Sequence, residues 1–420
     1  MKELMSLTGK IFGSMSRRMA ALPASTFARS ASATLLTAVL CLTACTRDYT
    51  VAYVYTTSSN GINEYGADYQ SGALVALSGS PVAAGNNPVS IVTAPGGLFL
   101  YVLNQGDSTV QEFAIASDGR LTSKNTYKTG TRPTSAAIDP AGKFLYVTFT
   151  YQAGYSAANP GPGGVNIFPV NSDNSLGTPA VQVVGNNPVG VAVSAFNNYA
   201  YVIDAEPATG SVPPNGQLLA FSRDLSSGAL TPIGKTVISK DASGRTVAVG
   251  YGAGSVPSAI AEDPTSRFIY VTDRATNQLY GNIVLAGGLL QPMQNSPFAT
   301  GLLPVAVTVD PRGKFLYVSN FNDNTISAYA IDLPTGAPVG AVGSGATKVG
   351  TGPTCMAIEP ALGIYLYSSN NLDNTTTGLK LDPHNGTLKN AQNTPYPAAG
   401  TPTCVAAVAN GSHATQVVNP

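Results

Sequence analysis

The sequence predicts an all-β fold, a seven-bladed β-propeller of four-stranded antiparallel blades, and three observations carry that prediction. A proline followed by a small-residue strand recurs seven times, at Pro88, Pro133, Pro188, Pro257, Pro304, Pro353 and Pro402. An aromatic strand of the form Phe-Leu-Tyr-Val follows in one repeat after another. The composition of the 420 residues agrees, because Gly 44, Pro 30 and Tyr 20 suit many short strands joined by tight turns. Self-similarity at this period indicates one closed array rather than two or three independent domains.

Each element of the repeat has its own physical reason. Strand A opens on the proline and is built of small residues, as in Val305-Ala-Val-Thr-Val309, which suits the crowded position where neighbouring units converge. It ends in Asp139-Pro140-Ala141-Gly142, Asp310-Pro311-Arg312-Gly313, Asp263-Pro264-Thr265-Ser266 or Glu359-Pro360-Ala361-Leu362. Asp first, Pro second and Gly fourth are the preferences of a type I turn. Strand B is the most regular, with Phe99-Leu-Tyr-Val102, Phe144-Leu-Tyr-Val147, Tyr199-Ala-Tyr-Val202, Phe268-Ile-Tyr-Val271, Phe315-Leu-Tyr-Val318 and Tyr365-Leu-Tyr-Ser368. Apolar residues on both of its faces fit a strand packed between two neighbouring sheets. Strand C follows, as in Thr325–Ile331, and a second recurrent turn closes it, for example Ser71-Gly-Ala-Leu74, Ser227-Gly-Ala-Leu230, Gly287-Gly-Leu-Leu290 and Asn385-Gly-Thr-Leu388. A glycine free to take positive φ before an apolar strand D is hairpin chemistry.

Seven such C-to-D turns but only six complete repeats mean that one blade is shared between the chain ends. Val51-Ala-Tyr-Val-Tyr55 opens directly as a strand B, and Pro402–Val408 supplies the missing strand A. Closing the ring in this way removes the free sheet edge that an open stack would expose. The propeller is expected over residues 51–409, with 410–420 as a tail.

Charged residues are only 10%, Lys+Arg 22 balances Asp+Glu 22, and no basic run follows the N-terminal region, which excludes a nucleic-acid interface. Lys2, Lys10, Arg17, Arg18 and Arg29 precede the apolar stretch Ala33–Leu42, too short to span a bilayer and ending in small residues, as an export signal does. Residues 1–44 are read as a signal peptide, with Met19 as an alternative start and Ser16-Arg17-Arg18 as a weak twin-arginine motif. Leu42-Thr43-Ala44-Cys45 resembles the bacterial lipobox, which makes Cys45 the lipidated first residue, 45–50 a linker and the cell envelope the destination. Thr46 after that cysteine resembles outer-membrane sorting; the alternative is an ordinary signal with an incidental cysteine. The membrane is then met only through the lipid, and the protein is expected to be a monomer.

The block Phe-Leu-Tyr-Val-x-Asn after Asp-Pro-x-Gly resembles the YVTN-type propellers and the lactonase-like seven-bladed family, which includes propeller-type 6-phosphogluconolactonases. The likeness spans about Val51 to Val408. It implies the fold strongly and the activity weakly, since the matched residues build turns and strands. For catalytic members it implies His, Glu and Arg at the mouth. Here the histidines are His384, in a C-to-D hairpin on the opposite face, and His413, beyond the closing strand. A histidine-dependent lactonase is disfavoured, and a carboxylate-based one stays open.

The mouth of a propeller is lined by its D-to-A and B-to-C connections, and insertions there carry function. Three connections are long: Thr150 to Gly164, Ala205 to Gly216 and Lys235 to Gly254, all on one side of one face. Asn104, Asn320 and Asn370, each followed by Asp107, Asp323 or Asp373, read as turn caps. Asp204, Glu206, Asp273 and Arg274 depart from that pattern, and with Arg132 and Tyr151 they form the candidate ligand set, against an ordinary solvated rim. If hydrolysis occurs, Glu206 or Asp204 is the base and Arg274 or Arg132 the anion anchor. No loop has the ligand spacing of a calcium site, zinc and haem lack ligands, and no cofactor is expected. Cys355 and Cys404 occupy equivalent positions in neighbouring strands A, so a disulfide stands beside two buried free thiols as alternatives. The preferred reading is a non-catalytic envelope propeller that binds a small molecule, a glycan or an envelope protein, although the absence of Trp weighs against a glycan. The alternative is a lactone hydrolase, and export would remove it from cytosolic 6-phosphogluconolactone.

Overall fold

The computed structural model describes residues 49–196, 198–207, 214–241 and 244–411. The signal region with Cys41 and Cys45, and His413 in the tail, lie outside the described residues. The strands from Thr50 to Ala409 form seven antiparallel four-stranded blades, numbered here from the N-terminus with strands A to D running outwards. Blade 1 takes strands B, C and D from Thr50–Ser58, Gly61–Asp68 and Leu74–Ala76, and strand A from Pro402–Ala409. The register Tyr55↔Ala406 and Thr57↔Cys404 closes the ring in that blade. Strand A of each remaining blade begins at a repeated proline or, in blade 3, two residues before it: Pro88–Thr93, Thr131–Ile138, Pro188–Val193, Pro257–Glu262, Pro304–Val309 and Pro353–Ile358. Each strand A touches the next around the ring, including blade 7 against the closing strand of blade 1.

The core is divided among the interfaces. Seven apolar clusters each combine residues of two adjacent blades, such as Tyr146 and Val191 between blades 3 and 4, or Tyr201 and Val271 between blades 4 and 5. The turn after strand A caps the next strand: Asp310 Oδ1 accepts the N–H groups of Lys314 (2.6 Å) and Phe315 (2.9 Å), and Asp139 and Asp263 do the same in their blades. Between blades 3 and 4, Arg223 reaches the buried Asp139 carboxylate at 3.3 Å, an ion pair with both side chains 4% exposed.

Two hydrogen bonds recur from blade to blade. The tyrosine of Phe-Leu-Tyr-Val donates its hydroxyl to a carbonyl in the C-to-D turn of the following blade: Tyr55 to Gly119, Tyr101 to Asn174, Tyr146 to Gly228, Tyr270 to Gly336, Tyr317 to Gly386 and Tyr367 to Gly72, over 2.6–3.0 Å. The leading proline's carbonyl accepts a side-chain donor from the preceding blade: Pro88 from Thr403, Pro133 from Gln105, Pro188 from Thr134, Pro304 from Ser258, Pro353 from Ser319 and Pro402 from Asn371. The motif tyrosine is therefore a polar latch as well as a packing residue.

Cys355 and Cys404 form a disulfide with Cα atoms 4.8 Å apart, joining strand A of blade 7 to the C-terminal strand that completes blade 1.

Candidate functional site

The mouth is built from the D-to-A connections and the ends of strand B. A glycine stands three residues before the leading proline in blades 2 to 7, at Gly85, Gly130, Gly185, Gly254, Gly301 and Gly350. A Cβ on Gly185 would collide with the Asp204 carboxylate, and one on Gly301 with the Asn320 amide, so the connection can lie against the end of strand B only where no side chain intervenes.

In blade 6 the N–H of Gly301 donates to Asn320 Oδ1 (3.1 Å) and that of Leu302 to Asp323 Oδ2 (2.6 Å). Asp107 and Asp373 accept the corresponding N–H of Asn86 and Thr351 in blades 2 and 7. Blades 4 and 5 replace this Asn-x-x-Asp pair by a single carboxylate. Asp204 accepts the N–H groups of Asn187 (2.7 Å) and Asn186 (3.2 Å). Asp273 accepts those of Ser255 (2.8 Å), Val256 (2.9 Å) and Ala275 (3.0 Å), together with the hydroxyl of Thr276 (2.7 Å).

These aspartates occupy the same position in successive blades, are fully buried, and differ in electrostatics. At Asp273 burial pushes the carboxyl up, but the bonds from Thr276, Ser255, Val256 and Ala275 outweigh it and the pKa falls below the ordinary value. At Asp204 burial dominates, two backbone donors offset part of it, the Glu206 carboxylate adds to it and Arg245 opposes it, leaving the carboxyl near pKa 7. Both groups anchor main chain. The structure thus assigns to Asp204 and Asp273 the turn-holding work expected of the asparagines, because a carboxylate with two oxygens can replace an Asn and an Asp together.

The three insertions meet around a cavity of about 750 Å3. Arg132 lies at the start of strand A in blade 3, Tyr151 at the start of the first insertion, Asn186 and Asn187 on the connection into blade 4, Pro207 in the second insertion and Arg245 in the third, and all of them line it. The volume suits a small metabolite, and the prolines with Ala157 supply apolar walls. Arg132 has φ 58°, rare for a residue with a side chain, and is held there by the Ser108 hydroxyl accepting its N–H (3.2 Å) and by the Thr150 hydroxyl donating to its carbonyl (3.3 Å).

Glu206, at the end of strand B in blade 4, pairs with the Arg245 guanidinium, and its Oε1 also accepts Asn186 Nδ2 at 2.9 Å. Asn186 Nδ2 donates to the Thr246 carbonyl as well (2.8 Å), tying the inserted hairpin Val237–Lys240 and Thr246–Val249 to the connection. The cavity therefore gathers Arg132, Tyr151 and, through its partners, Glu206. Asp204 sits beneath it. Asp273 is buried in its own turn, and Arg274 is exposed and outside the lining. Arg245 escaped the sequence reading; its only signal was its place in the third insertion, where no repeat marks a residue. His384 is on the opposite face, its side chain 92% exposed beside Asp382. Among the described residues no cluster of three His, Cys, Asp or Glu is placed to hold a metal ion.

A family model described as Lactonase, 7-bladed beta-propeller matches residues 48–194 and 215–342. No curated protein matches the sequence significantly. Among solved structures, a protein from Bacteroides uniformis provisionally named a 6-phosphogluconolactonase is 20% identical, with a TM-score of 0.68 over 86% of this chain and 100% of that one. The Pseudomonas aeruginosa periplasmic gluconolactonase is 19% identical, with a TM-score of 0.63 over 87% of this chain and 100% of that one. At such identities these likenesses speak for the fold alone. With the family model covering both halves of the ring, the chain belongs to the seven-bladed β-propeller lactonase family.

Proposed function

We propose that this protein is a lactone hydrolase of the cell envelope, acting on small hydroxylated sugar-acid lactones, with Glu206, Arg245 and Arg132 as its working groups. The observation that carries this reading is the convergence of two guanidinium groups, Arg132 and Arg245, on a single cavity walled by the three non-repeating insertions, with the Glu206 carboxylate paired to Arg245. Family membership supports the lactone class. A periplasmic gluconolactonase among the structural neighbours supports an unphosphorylated sugar lactone and an exported enzyme. In the reaction Glu206 takes a proton from water as the oxygen attacks the lactone carbonyl, and a guanidinium stabilises the oxyanion that forms. The ring C–O bond then breaks, and the ring oxygen recovers the proton as a hydroxyl. The acid formed loses its own proton to solvent and leaves as a carboxylate, the charge the arginines are suited to hold.

With D-glucono-1,5-lactone followed by pH-stat, Glu206→Gln is expected to lower kcat by about 10²–10⁴-fold, the usual contribution of a positioned base. Equal turnover by the two proteins would remove Glu206 from the chemistry, and no turnover by the wild type would sink the reading. One observation favours binding without catalysis: Glu206 Oε1 is already engaged by Arg245 and Asn186. Saturable calorimetric binding of gluconate without turnover of the lactone would select that second reading. The envelope location rests on Leu42–Cys45 and is tested by Cys45→Ala, which should release the protein from the membrane fraction. The released form should sediment as a monomer.

A further inference from the structure

We infer that Asp204 is the positioning residue of this site: ionised, it holds the turn that carries Asn186 and Asn187 against the cavity, and protonation releases that turn and its contact with Glu206. The inference rests on the cavity being the binding site. Its support is a chain of bonds. Asp204 accepts both main-chain N–H groups of the turn, and Asn186 then spends its amide on Glu206 Oε1 and the Thr246 carbonyl. Asn187 donates to the Ala205 carbonyl at 3.1 Å, so both side chains between Asp204 and the cavity are oriented by one carboxylate. Where other blades divide this work between an Asn and an Asp three residues later, blade 4 has Pro207 at the second position, and no other carboxylate replaces Asp204.

The charged groups facing Asp204 are Glu206 on its own strand and Arg245 from the inserted hairpin. The connection into strand A offers the two asparagines, and strand C pairs neutral Gln217 opposite it. A carboxyl near pKa 7 in the fold and near 4 in the unfolded chain makes ionisation a cost. Folding stability is therefore expected to fall as pH rises from about 4 to about 7, while the turn becomes firmly held only as pH rises through about 7, where the folded carboxyl ionises. Rigidity at the site is gained at the expense of global stability.

Amide hydrogen exchange of Asn186 and Asn187, corrected for intrinsic rates, tests this in the whole protein. In the wild type, protection of both amides is expected to drop roughly tenfold from pH 8 to pH 5.5 relative to the strand A amides of blade 6. Asp204→Asn should show weak protection at both pH values. Asp204→Asn combined with Pro207→Asp, which rebuilds the Asn-x-x-Asp pattern of blades 2, 6 and 7, should show strong protection at both. No pH dependence in the wild type overturns the inference, and so does the same drop in Asp204→Asn. If Asp204→Asn fails to fold, the wild-type series and the double variant decide. Hydrolysis is measured alongside: kcat/KM should decline below about pH 7 in the wild type, in step with protection. If the wild type has no turnover at any pH, the lactonase reading fails, while exchange still decides the role of Asp204.

Discussion

The interface between blades 4 and 5 differs from the other six in both recurrent latches. Tyr201, the motif tyrosine of blade 4, is fully buried and its hydroxyl has no partner. The turn it faces holds two successive glycines in the left-handed region, Gly287 (φ 77°) and Gly288 (φ 73°), where the C-to-D turns of the other blades hold one such residue. The Pro257 carbonyl likewise receives no side-chain donor among the described bonds, since Val189 stands where Thr134, Ser258 and Thr403 donate in their blades. Apolar packing of Val189, Ile203, Tyr251 and Val271 fills this interface, and the Ser194 hydroxyl donates to Glu262 on the face away from the mouth. Burial pushes the Glu262 carboxyl up to about pKa 7, with bonds from Ser194 and Ser266 offsetting part of the rise and Asp263 adding to it. The lesson is one of placement: six interfaces, including that between blades 3 and 4 beside the cavity, keep both polar latches, and only the interface crossed by the third insertion replaces them with apolar packing.

Four substitutions break or sharpen this contrast. The largest effect is expected where the ring closes, because Cys404→Ser removes the disulfide to blade 7 and should cost about 2–4 kcal/mol in denaturant melts under oxidising conditions. A midpoint unchanged from the wild type would mean that strand pairing alone holds the closure. Next, Tyr270→Phe deletes a buried hydrogen bond and should cost about 1 kcal/mol, whereas Tyr201→Phe deletes an unsatisfied buried hydroxyl and should be neutral or stabilising. Equal losses for the pair would show that Tyr201 has a partner in solution. The smallest effect is expected from Val189→Thr, which places a hydroxyl where blades 3 and 5 have one and should add about 0.5–1 kcal/mol by reaching the Pro257 carbonyl. A loss of stability would show that the apolar seam does not tolerate the latch.

Most of the ring was legible in the sequence because its signals are local. The seven prolines, the Asp-Pro-x-Gly turns and the glycine before strand D each act within a few residues, and the strand boundaries follow from them. The closing strand was legible too, from a count of turns against complete repeats. The site was less so. Asp204 and Glu206 are two residues apart, yet one anchors a turn that begins nearly twenty positions earlier while the other reaches an arginine on an inserted hairpin. Such roles depend on which connection comes to lie against the end of strand B. Gly185, whose missing Cβ permits that approach, is marked in the sequence only by recurring three residues before the proline, which does not say what it will lie against.

The closing strand also governs when the molecule can become itself. Thr57 meets Thr403 across a sequence separation of 346 residues, so the first blade made is the last one finished. A chain emerging N-terminus first holds blade 1 incomplete until Pro402–Ala409 arrives. A product that stops short of Pro402 would lack both the innermost strand and the partner of Cys355. The ring therefore cannot close before the segment Pro402–Ala409 is present, and closure reports that the chain extends at least that far.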